Sequence, residues 1–101
     1  MIPISITERA LQEIRHLLAH KNIPMGYGLR VGARGSGCAG TSYVLGFDEK
    51  QENDAEYDIA GIAVYVQKKE ILFLIGTEVD FYEGADARGF TFQKAHEQTF
   101  P

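Results

Sequence analysis

The residue with the most chemistry to offer in this chain is its one cysteine. Cys38 stands in the run RGSGCAGT, residues 34–41. A thiolate is the form of cysteine that binds metals and attacks electrophiles. Gly37 and Ala39 flank it with no bulk, and Gly35, Gly37 and Gly40 let the backbone take positive φ or pass close to another group. The nearby Arg30 and Arg34 would favour the thiolate. Free cysteine is also among the most buried residue types. The loop by itself therefore leaves two readings open: an accessible metal-binding or nucleophilic thiol, or a small cysteine buried at a tight turn.

A single cysteine in 101 residues excludes a disulfide within the chain and a self-contained four-cysteine metal site. It points to a reducing compartment, and the expected location is cytoplasmic. Gly35, Gly37 and Gly40 also spell G-x-G-x-x-G. A dinucleotide loop must open a helix, and here the following SYVLGF has the alternation of a strand, so that reading is rejected. Other donors are scattered. His16 and His20 have i, i+4 spacing and are expected on an exposed helix face; His96 is expected to be solvated near the end of the sequence. Residues 48–58, DEKQENDAEYD, hold six carboxylates against Lys50, and a solvated loop between two strands is expected there. They lack the central glycine and closing glutamate of an EF-hand. No Ser-His-Asp order and no phosphate-binding loop occurs.

The elements that must position these groups follow from periodicity. Composition is that of a globular protein, with 45% hydrophobic and 24% charged residues, and one domain spanning 1–101 is expected. No apolar run approaches the ~18 residues of a membrane span, and the opening MIPISITER lacks a signal-peptide pattern. A net charge of −4 argues against a nucleic-acid surface built on phosphate contacts. Ala10, Leu11, Ile14, Leu17 and Leu18 recur at helical spacing and predict a helix over 8–20, with Thr7 as N-cap. The period then changes to two. Leu29–Ala33, Tyr43–Phe47, Ile62–Val66, Thr77–Tyr82 and Gly89–Phe92 read as strands, whereas 67–75 fits a strand or a short helix. Tyr43, Phe47, Phe73, Phe81, Phe90 and Phe92 are expected in the core, and Arg30, Arg34 and Asp80 facing outward. The result is a mainly β, α+β domain whose N-terminal helix covers one sheet face.

The string LRVGARGSGCAGTSYVLGF, residues 29–47, resembles the first cysteine motif of the A-type iron–sulphur carrier family, the IscA or HesB-like domain. Ile6-Thr7 with Ala10, Ile14 and Leu17-Leu18 is similar to that family's opening helix, and Gly61-Ile62-Ala63-Val64 to its central strand. Gly76-Thr77-Glu78-Val79-Asp80-Phe81 and Gly89-Phe90-Thr91-Phe92 are similar to its closing segments. Nearly the whole chain is covered in order. The resemblance implies a β-rich pseudobarrel of mixed sheets with a leading helix. It implies a protein that is not an enzyme, binds iron or an iron–sulphur cluster, and passes it to recipient apo-proteins of the assembly system. It places Cys38 as the first of three ligand cysteines, often shared across a dimer, in a loop that includes Gly37 and Gly40. The family's C-G-C-G motif, about ten residues past Gly-Phe-x-Phe, has no counterpart here: QKAHEQTFP follows Phe92, with Lys94-Ala95 where Asn-Pro is usual. One chain then offers one thiolate and a symmetric dimer two. Further ligands would come from His96, Glu97 or an external thiol such as glutathione. Two alternatives stand beside the carrier: a HesB-fold interaction or scaffold module without metal, and a thiol redox protein using Cys38.

Overall fold

The computed structural model describes residues 2–35 and 41–94. Along the chain they form β1 (Ile4–Ile6), α1 (Glu8–His20), β2 (Gly28–Gly35), β3 (Thr41–Asp48), β4 (Asp54–Ile59), β5 (Ile62–Gln67), a 3-10 turn (Lys68–Glu70), α2 (Ile71–Leu74), β6 (Thr77–Glu83) and β7 (Arg88–Lys94). The fold is mainly β with two mixed sheets and a leading helix. The elements group into two compact units, residues 1–21 with 76–101, and residues 22–75. No helix among the described residues is long and apolar enough to cross a membrane.

In the first unit α1 begins where Thr7 takes an extended backbone and its hydroxyl oxygen accepts from the Ala10 N–H at 3.3 Å. That hydroxyl donates to Asp80 at 2.6 Å, and Arg9 donates to both Asp80 oxygens at 2.7 Å. Arg9, and then Thr7, hold the Asp80 carboxyl well below the usual carboxylate range. Asp80, expected to face outward, thus ties β6 to the first turn of α1. Ala10, Leu11 and Ile14 are buried and α1 packs on β6, while Leu18 is exposed, so the apolar stripe is narrower than its sequence suggests. The sheet order is β1-β6-β7: β1 runs parallel to β6 with Ile4 opposite Thr77, and β6 runs antiparallel to β7. Phe81 is buried, meets Phe90 edge-on with ring centres 4.9 Å apart, and carries the Arg88 guanidinium over its face.

The second unit is a sheet in the order β3-β2-β5-β4, with β2 parallel to β5 and the outer pairs antiparallel. Val64, Tyr65 and Val66 are buried in succession, so both faces of β5 are covered. β4 and β5 are joined by Ala60-Gly61, both at positive φ, the backbone of a two-residue hairpin turn whose twist matches that of the strands.

Two expectations are corrected here. The acidic segment is not wholly a solvated loop, because Asp54–Ile59 is a strand and Asp54 is buried. Of the aromatic residues assigned to the core, Tyr43, Phe47, Phe90 and Phe92 are only half-buried, and Phe73 is exposed. The ambiguous segment 67–75 resolves into the end of β5, the 3-10 turn and α2.

Candidate functional site

β2 and β3 form a hairpin whose register runs from Gly28 opposite Asp48 to Gly35 opposite Thr41. The five residues that join Gly35 to Thr41 include Gly37, Cys38 and Gly40, so the cysteine is the middle residue of a hairpin connection. Gly37, Cys38, Gly40 and His96 lie outside the described residues. The structure therefore gives the frame that delivers the cysteine loop.

That frame is fastened on one side. On its inner edge β2 pairs with β5 at Leu29 opposite Val64 and Arg30 opposite Tyr65. Beyond these pairs the Ala33 N–H donates to a side chain, the Glu70 carboxylate, at 3.0 Å. Glu70 is 8% exposed. Gly32 makes room for it, since a Cβ there would lie 2.8 Å from Glu70 Oε1. Gly35 does the same for Phe73, whose ring would stand 2.5 Å from a Cβ at that position. Two of the glycines in GARG thus serve close approach of the turn and α2 to the strand. Ala33, Arg34, Gly35, Lys69, Glu70 and Phe73 line a cavity of about 400 Å³ at this end of the hairpin.

The two arginines named for the thiolate have different fates. Arg30 does not face outward beside the loop. It lies toward the other end of the hairpin, opposite Gly46, and its guanidinium donates to Asp48 at 2.9 Å and to Asp54 at 2.8 and 2.5 Å. Those carboxylates, Asp54 foremost, raise the Arg30 pKa above its ordinary value. Arg30 in turn lowers that of Asp54, helped by the Gln51 N–H. Arg30 is a structural clamp. Arg34 is exposed at the end of β2 and lines the cavity.

His16 and His20 stack with ring centres 4.2 Å apart, and His20 Nδ1 lies 2.9 Å from the His16 carbonyl oxygen. No group of three or more His, Cys, Asp or Glu able to hold a metal ion occurs among the described residues. A larger cavity of about 520 Å³, in the unit that contains α1, is lined by Arg9, Glu13, His16, Phe81, Glu83 and Arg88 among others. Its cations are paired: Arg9 with Asp80, and Arg88 with Glu13 and Glu83. The residue that sequence reasoning missed is Glu70. Its only signal is a lone acid directly ahead of the apolar run ILFL.

Against known proteins, the model of a family described as iron–sulphur cluster biosynthesis matches residues 2–96. The iron-binding protein IscA of Photorhabdus laumondii is 41% identical over 90 residues, which is 88% of this chain and 82% of that protein. IscA of Yersinia pestis is 40% identical over the same length. Among solved structures, Escherichia coli SufA, involved in biosynthesis of iron–sulphur clusters, superimposes with a TM-score of 0.76 at 30% identity, covering 97% of this chain and 85% of that one. IscA with a [2Fe–2S] cluster gives 0.77 at 23% identity, covering 94% and 87%, and is a likeness of fold.

Proposed function

The chain belongs to the iron–sulphur cluster biosynthesis family, and from that premise we propose that it carries iron or an iron–sulphur cluster as cargo, bound through Cys38. The observation that carries the reading is the register of the β2–β3 hairpin. By closing at Gly35 opposite Thr41, it makes the single thiol the centre of a five-residue connection. The relatives named iron-binding, at 40–41% identity over most of their length, support it. The work so defined is loading and handing over cargo to recipient apo-proteins, without turnover of a small substrate.

The donor set limits how the cargo is held. Clusters generally take four protein thiolates, with histidine replacing some in certain centres. The chain has one cysteine, and the described residues offer no cluster of three donors. One chain therefore fits iron or a cluster only as a partial ligand set. A second copy supplies a second Cys38, and a small external thiol or His96 supplies the rest. The same shortage of donors favours a second reading, in which the fold is retained as an interaction module with no cargo.

Anaerobic reconstitution of wild type and Cys38→Ser side by side, with iron, sulphide and glutathione, tests the proposal. Visible absorption and bound iron in wild type, both lost in Cys38→Ser, are expected. A colourless, iron-free wild type overturns the carrier reading, and co-purification of the same partner with both proteins then supports the interaction module.

A further inference from the structure

The geometry points to Glu70 as the residue that positions the cysteine-bearing hairpin, acting through the Ala33 peptide. This inference rests on the reading of Cys38 as the donor for cargo. A strand that leaves its neighbour exposes backbone donors that need other partners. β2 leaves β5 after Arg30, while the hairpin continues to Gly35. The Ala33 N–H is taken up by Glu70 Oε1 at 3.0 Å, a bond made by a residue 37 positions away and 8% exposed. Gly32 has no side chain where the carboxylate lies, and Gly35 none where the Phe73 ring lies. The last residues of β2 before the loop are thus held by two contacts, one polar and one apolar, from the turn and α2. Cys38 follows Gly35 by three residues, so the strand end that Glu70 fixes is the one that sets where the loop starts. Glu70 does this as an acceptor of the right length. Its charge and any bond to iron are not required.

Two conservative substitutions separate length from charge. Glu70→Gln keeps the reach and an acceptor oxygen and removes the charge. Glu70→Asp keeps the charge and withdraws the acceptor by about one carbon–carbon bond, ~1.5 Å. Each protein is loaded with ferrous iron under anaerobic conditions and titrated with a competing chelator. Hydrogen exchange at the Ala33 amide and the rate of Cys38 alkylation by iodoacetamide are measured on the iron-free forms. Groups that orient a metal ligand typically contribute 10–100-fold to affinity. Glu70→Asp is expected to hold iron at least about 10-fold more weakly and to exchange Ala33 faster. Glu70→Gln is expected to stay within about 2-fold of wild type in both. The reverse order, with Gln weak and Asp normal, overturns the inference in favour of a role for the charge or a direct iron bond. Wild-type affinity in Glu70→Asp, despite fast exchange at Ala33, overturns it as well. If wild type binds no iron, the cargo reading fails on its own, and alkylation decides the positioning role. A rate altered at least about 3-fold in Glu70→Asp and restored in Glu70→Gln supports it, and equal rates in all three proteins refute it.

Discussion

Asp54→Asn removes one charge from the most enclosed ion pair among the described residues, and its cost can be worked from the contacts. The Asp54 side chain is 0% exposed and that of Arg30 is 16% exposed. The carboxylate accepts two bonds from Arg30, at 2.8 and 2.5 Å, and one from the Gln51 N–H at 2.7 Å. Breaking a buried pair by deleting one partner costs about 3–5 kcal/mol, because the other charge stays buried. Arg30 keeps Asp48 at 2.9 Å and the Glu49 carbonyl at 3.1 Å, so the lower end, about 3 kcal/mol, applies. For a chain of this size that is a fall in Tm of roughly 12–24 °C. Urea denaturation at pH 7 measures it directly. The sign with pH is fixed by the lowered folded pKa of Asp54. The stability contributed by the carboxylate is complete above the ordinary carboxylate pKa of about 3.9 and is lost as pH falls through the lower folded value. The gap between wild type and Asp54→Asn should therefore be full at pH 7 and narrow below about pH 4. Replacing both partners, Arg30→Leu with Asp54→Leu, leaves no buried charge and should cost less than Asp54→Asn alone. A loss under about 1 kcal/mol, or a gap that does not change with pH, would refute the clamp.

Two further substitutions probe the frame. Thr77 is 1% exposed and its hydroxyl has no hydrogen-bond partner among the described residues, so the isosteric Thr77→Val should stabilise the protein by about 1 kcal/mol, seen as a higher Tm; a loss of stability would show that the hydroxyl is satisfied in solution. Gly35→Ala sets a methyl against the outer edge of the exposed Phe73 ring and should cost about 1 kcal/mol in urea denaturation, with Gly35→Ala in a Phe73→Leu background costing clearly less; equal costs in the two backgrounds would remove Phe73 from the packing at this strand end.

What the sequence revealed of the fold depended on how much of each element's environment was local. α1 was legible because its apolar stripe, its N-cap and its acidic first residue lie within the element, and the structure returns Glu8–His20 with Thr7 as cap. β2, β5 and β6 were legible from alternation. β4 was not, because DAEYDI reads as a charged run. In the sheet Ala55, Tyr57 and Ile59 are half-buried while Glu56 and Asp58 are exposed, so the alternation exists but acidic composition masks it. β1 is three residues long, too short for any period to register. For the site, residue type alone identified Cys38 as the donor to consider. The role of Arg30 could not be read, because the carboxylates that hold it come from the ends of β3 and β4. Glu70 was hidden for the same reason. Its partner is a backbone N–H in another strand, and backbone partners leave no trace in the spacing of side chains.

One thiolate per chain decides what kind of holding is chemically available to a carrier. A chain that encloses a cluster with its own ligands releases it only by breaking several bonds within one molecule. If cargo is bound through Cys38 as proposed, then with a single cysteine and no three-donor group among the described residues most of its ligands are borrowed, and the hold weakens whenever a lender leaves. Borrowed ligands favour transfer and penalise storage. They also raise the demand on the one ligand the chain owns, since its placement must already be right when the others arrive. Order in the described strands that flank the donor then favours binding, because flexibility lost on binding lowers affinity. Seen this way, the absence of side chains at Gly32 and Gly35 has a purpose beyond the turn. It lets Glu70 and Phe73 close on the strand that leads to the thiol, and so supplies from the frame some of the order that further cysteines would otherwise impose.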